Sequence, residues 1–213
     1  MREVANLLGF VGLVLALLVV WRQSWRGRLR LFVAQSAVLA VLAIAIGLYA
    51  NRRGLLVAAL GFAALKVWII PRALTRIAAG PPARTASPRR SAAASLLTAG
   101  VLVVVAFTIM RPVTAASALP TAGGIPLAFG MALIGLLVCV TGRDVLGQIL
   151  GFLLFENGVF ALALLATYGL PGLVEAGVFL DVLVIVLIVE GIAVQMRREH
   201  DSLEVDRFQE LRG

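Results

Sequence analysis

An all-α transmembrane bundle of about seven helices, N-terminus outside and C-terminus cytoplasmic, is the fold the sequence predicts, on three observations. Hydrophobic residues make up 61% of the 213 and charged residues only 14%, a balance that a water-soluble domain of this size does not carry. The apolar residues gather into runs of roughly 17–25, the length that crosses a bilayer as helix. The arginines between those runs alternate between crowded and sparse loops.

Seven runs qualify: residues 4–21, 31–50, 55–70, 91–110, 125–141, 145–167 and 170–196. The first resembles a secretory signal, yet no small-x-small cleavage site precedes Trp21 and the run leads directly into Arg22, so a retained helix is expected. The third reaches spanning length only with Gly54 or the residues after Pro71. Between the third and fourth lies GPPARTASPRR, residues 80–90, whose three prolines and three arginines exclude both helix and core. This linker separates an N-terminal three-helix segment, 1–79, from the rest. Residues 91–124 hold the fourth helix and an external Pro- and Ala-rich loop at 112–124. Residues 125–197 hold three more helices, the last two joined by a tight turn at 168–172, and 198–213 form a cytoplasmic tail.

The net charge of +8 suggests nucleic acid until the charges are placed. Of the 18 arginines, four lie at 22–30, five at 72–90, one at Arg143 and four after Met196, whereas the intervening loops receive only Arg2, Arg52, Arg53 and Arg111. Fourteen against four places the crowded side in the cytoplasm. The basic charge is topology, and no nucleic-acid partner is implied.

Little soluble-enzyme chemistry is available. Cys139, the single cysteine, lies in an apolar run as a small packing residue and cannot form an intrachain disulfide. His200 stands alone in a polar tail between Glu199 and Asp201, where a solvated side chain is expected. No Gly-rich phosphate loop, Cys/His cluster or Ser-His-Asp order is present. The chain is therefore expected to have no active site, cofactor or metal of its own.

The informative residues are the charges inside the spans, each of which costs on the order of 2.5–3.5 kcal/mol to insert. Five qualify: Lys66, Glu156, Glu175, Asp181 and Glu190. Glu156 follows Asp144 by 12 residues, roughly 18 Å along a helix and hence mid-membrane. Asp181 follows Pro171 by 10 residues, roughly 15 Å, and the tight turn between their helices could bring it level with Glu156. Two coupled carboxyl groups at one depth make a proton-passing unit. For either acid, a protonated carboxyl with a local partner, such as Asn157 for Glu156, is the structural alternative. Glu175 lies about one turn inside the outer boundary, and Glu190 lies seven residues, roughly 10 Å, inside the cytoplasmic one. Both could flank a relay or serve structure alone. Lys66 is the only lysine beside 18 arginines, and lysine can release a proton on desolvation where arginine cannot. Its alternative is to snorkel to the boundary near Arg72.

An internal echo at an offset of 121 sets Gln35 of the second helix against Glu156 of the sixth; over 31–50 the identities are Val38/Val159, Ala40/Ala161 and Ala45/Ala166. Apolar helices reach that level by chance, so the sequence leaves a duplicated three-helix unit open.

Four stretches carry a resemblance. RDVLGQILGFLLFENG at 143–158, ALKVWIIPRAL around Lys66, LPGLVEAGVFLDVLV around Glu175 and Asp181, and the tail SLEVDRFQELRG closely resemble component E of hydrogenase-4-type complexes. That component is itself similar to the K subunit of respiratory complex I and the C subunit of Mrp-type antiporters. The resemblance implies a noncatalytic membrane-arm subunit in the inner, cytoplasmic membrane. It would move protons or another cation beside antiporter-like and complex I-like membrane subunits. A hydrophilic hydrogenase arm would carry the nickel-iron centre and iron–sulfur clusters. It makes 125–197 the K-type unit, with Glu156 at the position of the K subunit's second-helix glutamate and either Asp181 or Glu175 as its third-helix acid. An Mrp-type cation/proton antiporter subunit and a structural membrane anchor are the competing expectations.

The arginine asymmetry makes a first test. A reporter that fluoresces only in the cytoplasm should be bright when fused after Gly213, and a dark but stably inserted fusion would contradict the seven-helix topology.

Overall fold

The computed structural model describes residues 1–77, 91–142 and 144–169, and every regular element among them is helical. Helix α1 covers Arg2–Trp21 and α2 Trp25–Tyr49. The third span is built in pieces: α3 (Arg53–Ala63), a π-helical turn (Ala64–Ile69) and α4 (Ile70–Ile77). Then come α5 (Ala92–Ala116), a 3₁₀ turn (Ala122–Gly124), α6 (Ile125–Thr141) and α7 (Val145–Thr167). Six of the expected spans are thus present as helices long and apolar enough to cross a membrane. The seventh, at 170–196, lies outside the described residues, as do the linker at 80–90 and the tail.

Three boundaries differ from the sequence expectation, each for a local reason. Helix α2 starts at Trp25, not residue 31, because arginine is a good helix former and the first turns can leave the membrane. The third span extends through Pro71 to Ile77, so it is not short. Helix α5 continues through Pro112 to Ala116. Pro112 removes one donor to the preceding turn, near the outer end where water can satisfy the freed carbonyl, and the loop shrinks to residues 117–121.

Local chemistry sets the turns. Asp144 caps α7, its side chain accepting the Gly147 N–H at 3.0 Å. At the other end Tyr168 (φ 52°) and Gly169 (φ 72°) adopt left-handed conformations, and the Gly169 N–H returns to the Leu164 carbonyl at 3.0 Å, closing the helix. Trp21 and Trp25 lie beside the first arginine-rich loop, at the boundary assigned to the cytoplasm, and further along the third span Arg72 stacks over the Trp68 ring at 4.2 Å.

Helices α6 and α7 are the most closely apposed pair. A Cβ built on Gly135 would collide with the backbone of Phe155, one on Gly151 with Cys139, and one on Gly158 with Ala132. Each pair of numbers adds to the same total, the signature of antiparallel helices in register. In lipid, where helices gain little from apolar burial against each other, such close backbone approach supplies dispersion contact. Helix α1 packs on α6 through Gly9 against Leu127 and Gly12 against Met131. Helix α5 is peripheral: 11% of its apolar window is buried, against 61% for α6 and for α7.

The offset of 121 now has structural content. It carries α1 onto 123–142, over α6, and α2 onto 146–170, over α7. The structure sets the members of each pair against each other.

Replacing Gly151 or Gly158 by leucine should prevent α6 and α7 from closing and sharply reduce the folded protein recovered from membranes. Gly54→Ala and Gly100→Ala, at positions where a Cβ meets nothing within 4 Å, should leave recovery unchanged. Equal recovery of all four variants, read by size-exclusion in mild detergent, would contradict this packing.

Candidate functional site: a buried lysine–glutamate pair

The π turn and α7 together build the site. Lys66 lies 13 residues after Arg53 and 10 before Arg76, so roughly 15 Å of helix or more separates it from either end of its span. Glu156 is 12 residues from both the Asp144 cap and the Tyr168 cap, roughly 18 Å each way. The Lys66 ammonium is fully buried and donates to Glu156 Oε2 at 3.0 Å and to Asn157 Oδ1 at 2.9 Å. It does not snorkel to the boundary. Single π turns inside α-helices recur at functional positions, and this one, followed by Pro71, carries the chain's only lysine.

Aromatic packing holds the pair in place. Phe62, one turn before Lys66, stacks on Phe160 of α7 with centroids 4.1 Å apart, and its ring lies 5.2 Å from the Lys66 ammonium. The ring face adds attraction for the cation, strengthened where water is absent. An ion pair in an apolar interior is costly unless its members are well paired and hydrogen-bonded. Here the ammonium meets two oxygens at charge-assisted distances.

A polar chain extends from the pair to α1. Asn157 Nδ2 donates to Gln35 Oε1 at 3.2 Å and to Ser36 Oγ at 3.0 Å, and Gln35 Nε2 donates to the Gly12 carbonyl at 3.1 Å. All of these side chains are buried. Four spans thus meet at one polar centre within an apolar bundle.

Of the five charges singled out in the sequence, the structure brings Lys66 and Glu156 together. Glu175, Asp181 and Glu190 lie outside the described residues, so the expected pairing of Glu156 with Asp181 does too. Reading charges alone misses Gln35, Ser36 and Asn157 as a connected set. Uncharged polar residues interrupting apolar spans were the available signal, since each needs a partner in lipid.

These features define a polytopic helical membrane protein with a titratable ion pair at the centre of its core. No family model and no solved structure matches the chain. A Mycobacterium tuberculosis protein of uncharacterized function is 36% identical over 204 residues, 94% of this chain and 93% of that one. Hydrogenase-4 component E of Escherichia coli, and likewise that of Shigella flexneri, is 31% identical over 215 residues, 99% of this chain and 97% of the relative. The chain belongs to the hydrogenase-4 component E family.

The pair has a measurable energetic signature. Lys66→Met removes the cation beside a buried carboxyl and should cost about 3–5 kcal/mol, whereas Lys66→Met combined with Glu156→Gln removes both charges and should recover more than half of that. Thermal unfolding in detergent measures both. A double variant no more stable than the single one would show that the two side chains are not energetically coupled.

Proposed function

We propose that the chain is a noncatalytic membrane-arm subunit of a hydrogenase-4-like, complex I-related oxidoreductase, contributing to proton translocation coupled to electron transfer. The observation that carries this reading is the Lys66–Glu156 pair, buried mid-span at 3.0 Å. One proton shared between these groups has two resting places: on Nζ, giving ammonium and carboxylate, or on Oε2, giving neutral amine and carboxylic acid. The neutral form is tolerable in lipid. A charge change in a neighbouring subunit can therefore move the proton between α7 and the π turn without leaving a lone buried ion. Asp181, flanked by Glu175 and Glu190, would continue the path. Nickel-iron and iron–sulfur chemistry would reside in the hydrophilic hydrogenase arm, with antiporter-like and complex I-like subunits beside this chain in the inner membrane.

Two substitutions test the reading in assembled complex reconstituted into vesicles, with proton uptake followed by an entrapped pH dye and normalised to assembled protein. Glu156→Gln keeps shape and hydrogen bonding but cannot release a proton, so uptake should fall roughly tenfold or more, while Glu156→Asp retains part of it. Lys66→Arg keeps the charge but not the titration and should fall comparably. Full uptake by the Glu156→Gln complex would leave a structural anchor as the better description.

A further inference from the structure

The polar chain behind the ion pair has a direction, and both of its ends set that direction independently. At the α1 end, the Gly12 carbonyl can only accept, so the Gln35 group facing it must be the NH₂, at 3.1 Å. Gln35 then presents Oε1 to Asn157, whose NH₂ donates to it at 3.2 Å and also to Ser36 Oγ at 3.0 Å. Asn157 is left with Oδ1 pointing at Lys66, 2.9 Å from Nζ. At the other end, an ammonium can only donate and demands that same orientation. Every amide dipole in the chain therefore aims an acceptor at Lys66.

We infer that Gln35 is a positioning residue: through Asn157 it holds an acceptor against Lys66, and so biases the buried pair towards ammonium and carboxylate and against the neutral form. Among the described residues the charged group facing Lys66 is Glu156 of α7. Helix α2 contributes Gln35 and Ser36, α1 the Gly12 carbonyl and the lysine's own segment the Phe62 ring, all uncharged. When the proton moves to Oε2 the amine lone pair accepts the Glu156 O–H and an amine N–H still reaches Asn157 Oδ1, but without the charge assistance that an ammonium gains from that oxygen. Asn157 could give up this preference for the ammonium only by turning over its amide. Turning would set its carbonyl oxygen against Gln35 Oε1, whose orientation the Gly12 carbonyl fixes. Ser36 imposes no such barrier, because a hydroxyl donates or accepts as required. At the offset of 121, Gln35 occupies in α2 the position of Glu156 in α7, and Ser36 that of Asn157, so an amide in one helix stands where the other has a titratable acid.

The inference rests on reading Lys66 and Glu156 as a proton-passing pair, but its test reads the pair directly and not transport. Infrared spectra of the full chain in lipid vesicles report the C=O stretch of protonated Glu156, assigned by its loss in Glu156→Gln. Gln35→Met frees Asn157 to turn its acceptor away from Lys66, so the ratio of neutral to ionised pair should rise about threefold to tenfold, the worth of one hydrogen bond's preference for the ammonium. Gln35→Leu serves if the methionine variant inserts poorly. In Gln35→Glu a protonated carboxyl still donates to Gly12 and accepts from Asn157, so the ratio should stay at the wild-type value. Ser36→Ala leaves the lock in place and should also leave it unchanged. An unchanged ratio in both apolar Gln35 variants, or an equal rise in Ser36→Ala, would overturn the assignment. Undiminished proton uptake by Glu156→Gln would instead remove the pair from translocation while leaving these spectra as they are.

Discussion

One ion pair in an oily interior organises this molecule. Lys66 and Glu156 stand 3.0 Å apart, both buried, and an ion pair in such a place is costly to break by removing one member. That requirement propagates outward. Phe62 and Phe160 stack beside the pair, and α2 supplies polar side chains at the same depth. Helix α1 closes the set by lending a backbone carbonyl. A bundle held together by apolar contact alone could slide by a turn with little loss in lipid. This one cannot, because a shift of one turn would strand an ammonium and a carboxylate.

The glycines of α6 and α7 complement that constraint. By letting two backbones touch at Gly135, Gly151 and Gly158, they fix α7 against a rigid neighbour, so Glu156 is presented from a surface that does not yield. The π turn on the opposite side is the softer partner, since a long lysine side chain reaches across from it. A rigid acid facing an adjustable base suits an exchange of protons, where the distance must be kept while the charge changes.

Much of this was legible in the sequence. Span length and the depth of Glu156 follow from counting along apolar runs, and the structure has helices at six of the seven runs, the seventh lying outside the described residues. The uniqueness of Lys66 pointed to chemistry, and its partner was within reach, because Glu156 had been placed near mid-membrane. The partnership itself was hidden for a physical reason. Counting back from Arg72 sets Lys66 near a boundary if the helix ends there, but the span continues through Pro71 to Ile77, which moves the lysine inward. A proline that lets a helix continue is invisible to a rule that ends helices at prolines. The amide chain was hidden differently. Gln35 and Asn157 are 122 residues apart, and no periodicity announces which polar groups meet across a bundle.

Helix α5 looks dispensable, since it buries little of itself and contributes nothing to the polar centre. Its consequence is one of direction. Three crossings leave the chain on the side opposite to its start, so a helix pair following at once would enter the membrane upside down relative to α1 and α2. The lone return stroke of α5 carries the chain back, and α6 and α7 then run the same way as α1 and α2. The pairs α1–α2 and α6–α7 therefore cross the membrane in the same sense, unlike the inverted halves whose exchange opens many transporters to one side and then the other. What distinguishes the two pairs at the matched core positions is the amide of Gln35 in one and the acid of Glu156 in the other.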